Sequence, residues 1–178
     1  MKNLTVVAAA ALAALAACRS APPQPNEEAL RATAALQPTT GNKAFGEATF
    51  EPAGANKVRV IVFAQNLKPG AEHGLHIHEA GDCSSGDGMS AKGHFNPQGK
   101  PHGNPATPEH HAGDLPSLKA GKNGRAKLDT VVEGITLTPG PASIVGRGLI
   151  IHADPDDYKT QPTGNSGARI ACGVIKAG

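Results

Sequence analysis

Between residues 57 and 67 the chain reads KVRVIVFAQNL, with Val58, Val60 and Val62 on one side of a period of two and Arg59, Ile61 and Phe63 on the other. That period is the mark of a β-strand with one face turned to a core. KAFGEATFEP (43–52) reads as a partner strand, joined to the first by the turn signal AGAN. HGLHIHE (73–79) is a third strand, in which Leu75 and Ile77 take the apolar side while His76 and His78 project together from the other. GRAKLDTVVEGITL (124–137), GRGLIIHA (146–153) and ARIACGVIK (168–176) supply further strands. Two long irregular segments, 79–123 and 153–167, lie between them and are dense in His, Asp, Gly and Pro. Loops of that length in a compact domain need a functional or cross-linking reason.

The pattern is different at the N-terminus. Residues 4–17, LTVVAAAALAALAA, are a continuous apolar stretch behind Lys2. It is shorter than the roughly 20 residues that span a bilayer and matches the apolar region of an export signal. It closes in LAAC, Leu15 to Cys18, which resembles the lipobox of bacterial lipoproteins, so Cys18 is the expected lipidation site. Residues 19–40 are rich in Ala, Pro and Gln and are expected to be a flexible tether, with at most a turn or two of helix in EEALRATAAL. The expected organisation is a signal peptide at 1–18, the tether at 19–40 and one folded domain at 41–178. The implied location is the periplasm or cell envelope, with a lipid anchor as the only link to the membrane.

Composition narrows the picture further. With 22 Gly, 15 Pro, 3% aromatics and no Trp, the core must be built from Val, Ile, Leu and Ala, and the fold is expected to be all-β and rich in turns. A net charge of +2 gives no strong basic field and argues against a nucleic-acid partner. The chain has 3 Cys. With Cys18 taken by lipid, an even pair remains, and an oxidising compartment makes Cys83–Cys172 the expected disulfide. Closing a loop of about 90 residues would contribute roughly 4 to 5 kcal/mol by chain entropy.

All 8 histidines fall between 73 and 152: His73, His76, His78, His94, His102, His110, His111 and His152. His76 and His78 form one half of a ligand set on a strand, and His152 ends another strand behind an apolar run. The second group lies in the long loop, with His94, His102, His110, His111 and the carboxylate Asp114. Imidazole with carboxylate suits zinc, and four nitrogens suit Cu(II).

The motifs HGLHIHEAGDC, GHFNP, PHGNP, HHAGDL, GRGLIIHADPDDY and GNSGARIACGVI follow one another between about residues 43 and 176. Together they resemble the copper–zinc superoxide dismutase family in its exported bacterial form. The resemblance implies an eight-stranded Greek-key β-barrel, related to immunoglobulin-like sandwiches, with two long functional loops. It implies one copper held by His76, His78, His94 and His152, and one zinc held by His94, His102, His111 and Asp114. His94 would bridge the two ions and carry a proton during turnover. Asp156 would hydrogen-bond one ligand of each metal, His76 and His102, and Arg169 would hold the anionic substrate superoxide. His73 is expected to be a structural hydrogen-bonding residue, and the pair His110–His111 leaves some room for exchanged roles. The activity implied is dismutation of superoxide to dioxygen and hydrogen peroxide, protecting the cell envelope. Family members are monomers or dimers, so a homodimer is open. The rival reading is an exported copper- and zinc-binding protein of the same fold without turnover.

Overall fold

The computed structural model describes residues 30–178. The expected signal peptide and lipobox with Cys18 lie outside the described residues. Among those residues no helix is long and apolar enough to cross a membrane.

Nine strands form one curled antiparallel sheet: β1 (Ala32–Pro38), β2 (Phe45–Pro52), β3 (Lys57–Gln65), β4 (Glu72–His78), β5 (Asp114–Lys119), β6 (Ala126–Glu133), β7 (Gly148–His152), β8 (Arg169–Val174) and the two-residue β9 (Lys176–Ala177). Eight of them run in the spatial order β5-β4-β7-β8-β1-β2-β3-β6, and β9 pairs with β1. After the hairpin strands β2 and β3 the chain crosses to the far half for β4 and β5. It returns to set β6 beside β3, then crosses again for β7 and β8. These crossings are of the Greek-key kind. The end strands β5 and β6 lie alongside each other without a ladder between them.

Alternation builds the core. Val58, Val60, Val62 and Ala64 of β3 face inward, as do Ala48 and Phe50 of β2, Leu75 and Ile77 of β4, and Leu149 and Ile151 of β7. The outward side of β2, β3 and β6 carries ion pairs instead, among them Arg59–Asp129 at 2.8 Å and Lys57–Glu133 at 2.5 Å. Strand β7 is buried on both sides. Its Ile150 points away from the main core and packs with Ala91, Cys172 and Cys83. That small cluster sits at the Cys83–Cys172 disulfide, which joins residues 89 apart in sequence.

Two expectations are corrected. Residues 32–38 are not part of the tether but form β1, paired with β2 through Ala32–Leu36 and with β8 through Gln37 and Pro38. The same residues exclude the short helix expected there. Ala32, Ala34 and Leu36 are buried and alternate with exposed Thr33, Ala35 and Gln37. The period of two is present, but it is written in alanine, which has little strand preference of its own. The second correction is β5, which lies inside the segment read as irregular from 79 to 123. Its Pro116 interrupts the strand signal. Proline is tolerated here because β5 ends the strand order and needs ladder bonds only toward β4. The loops that remain are 79–113 and 153–168, and both close over the outer face of β4 and β7.

Candidate metal centre

Strand β4 presents His76 and His78 on one face, as the alternation requires, and both are fully buried. His152 ends the neighbouring strand β7, across from Arg169 on β8. The loop after β4 folds back so that His94 pairs with His78 in an isolated β-bridge. Ligand atoms of His76, His78, His94 and His152 lie within 4.8 Å of one another. Those of His94, His102, His111 and Asp114 do the same. His94 belongs to both sets. The structure brings His111 into the second set and leaves His110 outside, its Nδ1 donating to the His111 carbonyl at 2.6 Å.

The free nitrogens show that these residues fit metal ions. His76 Nδ1 and His94 Nε2 are buried without a hydrogen-bond partner, as is His73 Nε2 outside the clusters, while His102 Nδ1 faces Asp114 Oδ2 at 3.0 Å. A buried imidazole nitrogen with nothing to bond is costly unless a ligand takes its lone pair. The opposite nitrogens are fixed. His76 Nε2 and His102 Nε2 each lie against a different oxygen of Asp156, at 2.7 and 2.9 Å. His78 Nδ1 donates to the Lys92 carbonyl at 2.8 Å, and His152 Nδ1 to the Gly167 carbonyl at 3.2 Å. This leaves Nε2 of His78 and Nε2 of His152 only 3.4 Å apart. His94 turns Nε2 toward that group and sets Nδ1 2.8 Å from Asp114 Oδ1 and 3.3 Å from His111 Nδ1. Partners of this kind fix which nitrogen is free to ligate and hold the ring plane.

Charge follows from burial. Burial is the largest influence on His94 and, with the Asp114 hydrogen bond opposing it, pushes the ring down to about 4. Burial likewise lowers His76, His78 and His152. The first cluster is therefore built of neutral imidazoles with available lone pairs. His102 differs: burial opposes its charge, but hydrogen bonds to Asp114 and Asp156 outweigh it and raise the ring to about 9. Burial disfavours charge on Asp114 and Asp156 too, yet their histidine partners hold both carboxyls below the usual range. One cluster is neutral and all-nitrogen, the other carries a carboxylate. These are donor sets for a copper and a zinc.

The surroundings place further expected residues beside the clusters and add residues that sequence reasoning missed. Asp156 bridges a residue of each cluster, His76 and His102. His73 donates from Nδ1 to the His152 carbonyl at 2.8 Å, a support beneath the site. Arg169 donates from Nη1 to the Gly88 carbonyl at 2.6 Å and from Nη2 to the Lys92 carbonyl at 2.5 Å. The Lys92 carbonyl thus serves both Arg169 and His78. Lys92 does so at φ 64 and ψ −148, a conformation almost confined to glycine. Gln161 clamps the backbone of His102 through Oε1 and Nε2, both at 2.8 Å. Gly164, at φ +63, lies so close to Asp156 that a Cβ would fall 1.8 Å from its Oδ1. No local signal in the sequence marks Lys92, Gln161 or Gly164, because their partners are 14 to 77 residues away or meet only in the folded loop.

Comparison with known proteins agrees with this geometry. The family described as copper/zinc superoxide dismutase (SODC) matches residues 44–175. The chain is 40% identical to superoxide dismutase [Cu-Zn] 2 of Aquifex aeolicus, over 99% of this chain and 100% of that protein. It is 47% identical to superoxide dismutase [Cu-Zn] 1 of the same organism, over 67% of this chain and 73% of the relative. Among solved structures, the clock protein EA4 superposes with a TM-score of 0.75 at 37% identity, covering 88% of this chain and 99% of that one. A double mutant of a SOD-like protein from Bacillus subtilis superposes with a TM-score of 0.70 at 41% identity, covering 81% and 96%. With the family match spanning strands β2 to β8 and both ligand clusters within it, the chain belongs to the copper/zinc superoxide dismutase family.

Proposed function

We propose that this chain is a superoxide dismutase working in the cell envelope. Two superoxide anions and two protons become one dioxygen and one hydrogen peroxide. The observation that carries the reading is the shared His94, buried between an all-nitrogen cluster and a carboxylate-containing one. When bound, copper would supply reversible one-electron exchange and zinc a fixed positive charge.

The chain's own residues do the rest. His76, His78 and His152 hold the first ion, and His102, His111 and Asp114 the second. His94 serves both and holds a proton at Nε2 in one half of the cycle, yielding it to the peroxide product in the other. Its Nδ1 stays among Asp114 and His111 throughout, which keeps the ring placed for the return. Arg169, fixed by the Gly88 and Lys92 carbonyls, offers a fixed cation to the superoxide anion. Asp156 orients one ring in each cluster.

The test is a dismutase assay on the full chain loaded with copper and zinc, with Arg169→Ala beside it. Superoxide should disappear far faster than with the metal-free chain, and Arg169→Ala should lose most of that rate while retaining both ions. Binding of both ions with no dismutation would leave the rival reading, a metal-binding protein without turnover.

The location rests on the apolar stretch 4–17, on Cys18 behind it and on the formed Cys83–Cys172 bond, which suits an oxidising compartment. Cys18 carries the lipid anchor. Labelled fatty acid should enter the membrane-bound chain and be absent from Cys18→Ala. Equal labelling of both would remove the anchor.

A further inference from the structure

Arg147 stands outside both ligand clusters, just before β7, the strand that ends in His152. Its guanidinium carbon lies 3.6 Å from the centre of the Phe95 ring. Its Nε donates to the Ser143 carbonyl at 2.7 Å, and its Nη1 to the Glu79 carbonyl at 2.9 Å. The targets are the significant part, since Glu79 follows the ligand His78 and Phe95 follows the ligand His94.

The backbone shows what these two contacts reach. Glu79 N donates to the Gly93 carbonyl at 2.9 Å, on one side of His94. Phe95 N donates to the Ile77 carbonyl at 2.8 Å, on the other side. Gly113 N then donates to the Phe95 carbonyl at 2.8 Å, which leads directly to Asp114. His94 is thus held at Gly93 by Glu79 and at Phe95 by Ile77, and Arg147 meets Phe95 directly and Gly93 through Glu79. Its own backbone is tied down as well, the Arg147 carbonyl accepting from Ile175 N at 2.8 Å.

We propose that Arg147 is a positioning residue for the shared histidine, its guanidinium fixing the Glu79 and Phe95 flanks of His94 relative to the strand that delivers His152. A planar guanidinium suits the task because it can lie flat on a ring while its edge donates to two carbonyls. An ammonium can do only part of this, and an aliphatic side chain can only pack. His94 must present Nε2 to one cluster and Nδ1 to the other, so a small rotation of its segment disturbs both sites together.

This inference rests on the proposed copper–zinc function, and its test separates the two. The full chain, Arg147→Lys and Arg147→Met are each loaded with copper and zinc. The cupric spin resonance and visible band are recorded, zinc affinity is measured against a chelator, and each metal-free chain is melted. Both variants should retain one copper and one zinc while the copper signal shifts, more in Arg147→Met than in Arg147→Lys. Zinc affinity should fall about tenfold or more, the loss typical when a residue orienting a ligand is removed. Copper signals that superpose on the unsubstituted chain, with zinc affinity unchanged, would overturn the role of Arg147 even if melting temperatures fell. If the unsubstituted chain fails to bind copper beside zinc, the functional reading falls and this one with it. Should Arg147→Met fail to fold, Arg147→Lys alone decides by the same two readouts.

Discussion

Lys92 shows how a single residue can work against its own backbone preference. Its carbonyl accepts from His78 and from Arg169, and the geometry that aims it lies where a side chain is strained. Strain of this kind costs about 1–3 kcal/mol. Lys92→Gly should therefore raise the melting temperature of the metal-free chain, less the extra entropy of glycine in the unfolded state. A fall in melting temperature would show that the lysine side chain contributes more than the strain removes. The buried rings set a pH dependence for the same metal-free chain. His76, His78, His94 and His152 are lowered, so below about 6.5 the unfolded chain binds protons that the folded one refuses, and stability falls with pH. His102 is raised to about 9, so its contribution is complete below about 6.5 and is lost as the pH climbs through 9. Urea midpoints of the metal-free chain should peak near neutrality and drop more steeply on the acid side, where several rings act together. At this scale the candidate ligands were legible in the sequence, because spacing on a strand marks His76 and His78 and the likeness of the histidine motifs to a known family marks the rest. The residues that aim the ligands were not, since a carbonyl acceptor such as Lys92 is chosen by backbone conformation and leaves no mark in its side chain.

Among the elements, those that declare themselves are β3, β4 and β7, where Val, Ile and Leu alternate or run together. β1 and β5 do not, for opposite reasons. β1 carries the right period in residues too small to announce a core, and β5 carries a proline that only an end strand accommodates. Their roles come from partners distant in sequence, which is where local pattern stops being informative. The loop from 79 to 113 is held at one end by β4 and near its start by the disulfide. Cys83→Ser with Cys172→Ser should cost about 2–5 kcal/mol of stability. It should also lower dismutase activity at temperatures where the chain is still folded, because the Gly88 carbonyl that restrains Arg169 lies on the freed stretch. Heat denaturation and an assay at 25 °C would separate the two effects. Unchanged activity in the folded double variant would show that Lys92 alone suffices to place Arg169.

In the whole molecule the two clusters are not independent, because they own one residue in common. Whatever factor zinc contributes to copper affinity, copper must return to zinc. Titrating each metal with and without the other should give equal factors, and His94→Ala should reduce both toward one. Bound metal also stabilises the fold by mass action, by about 4 kcal/mol when the free ion stands at a thousand times its dissociation constant. Chelation should lower the melting temperature in two steps, the first on loss of the more weakly held ion.

β1 has a consequence that reaches past the active site. Among the described residues it is the only strand laddered to both halves of the sheet, meeting β2 along Ala32–Leu36 and β8 at Gln37 and Pro38. If a protease trims the chain beyond residue 38, two raw borders are left open, one on β2 and one on β8, each a template for a neighbouring molecule. Such a clipped product would be expected to zip onto its own kind and scatter light. The stretch with the least conspicuous side chains in the fold would then be what keeps it from polymerising.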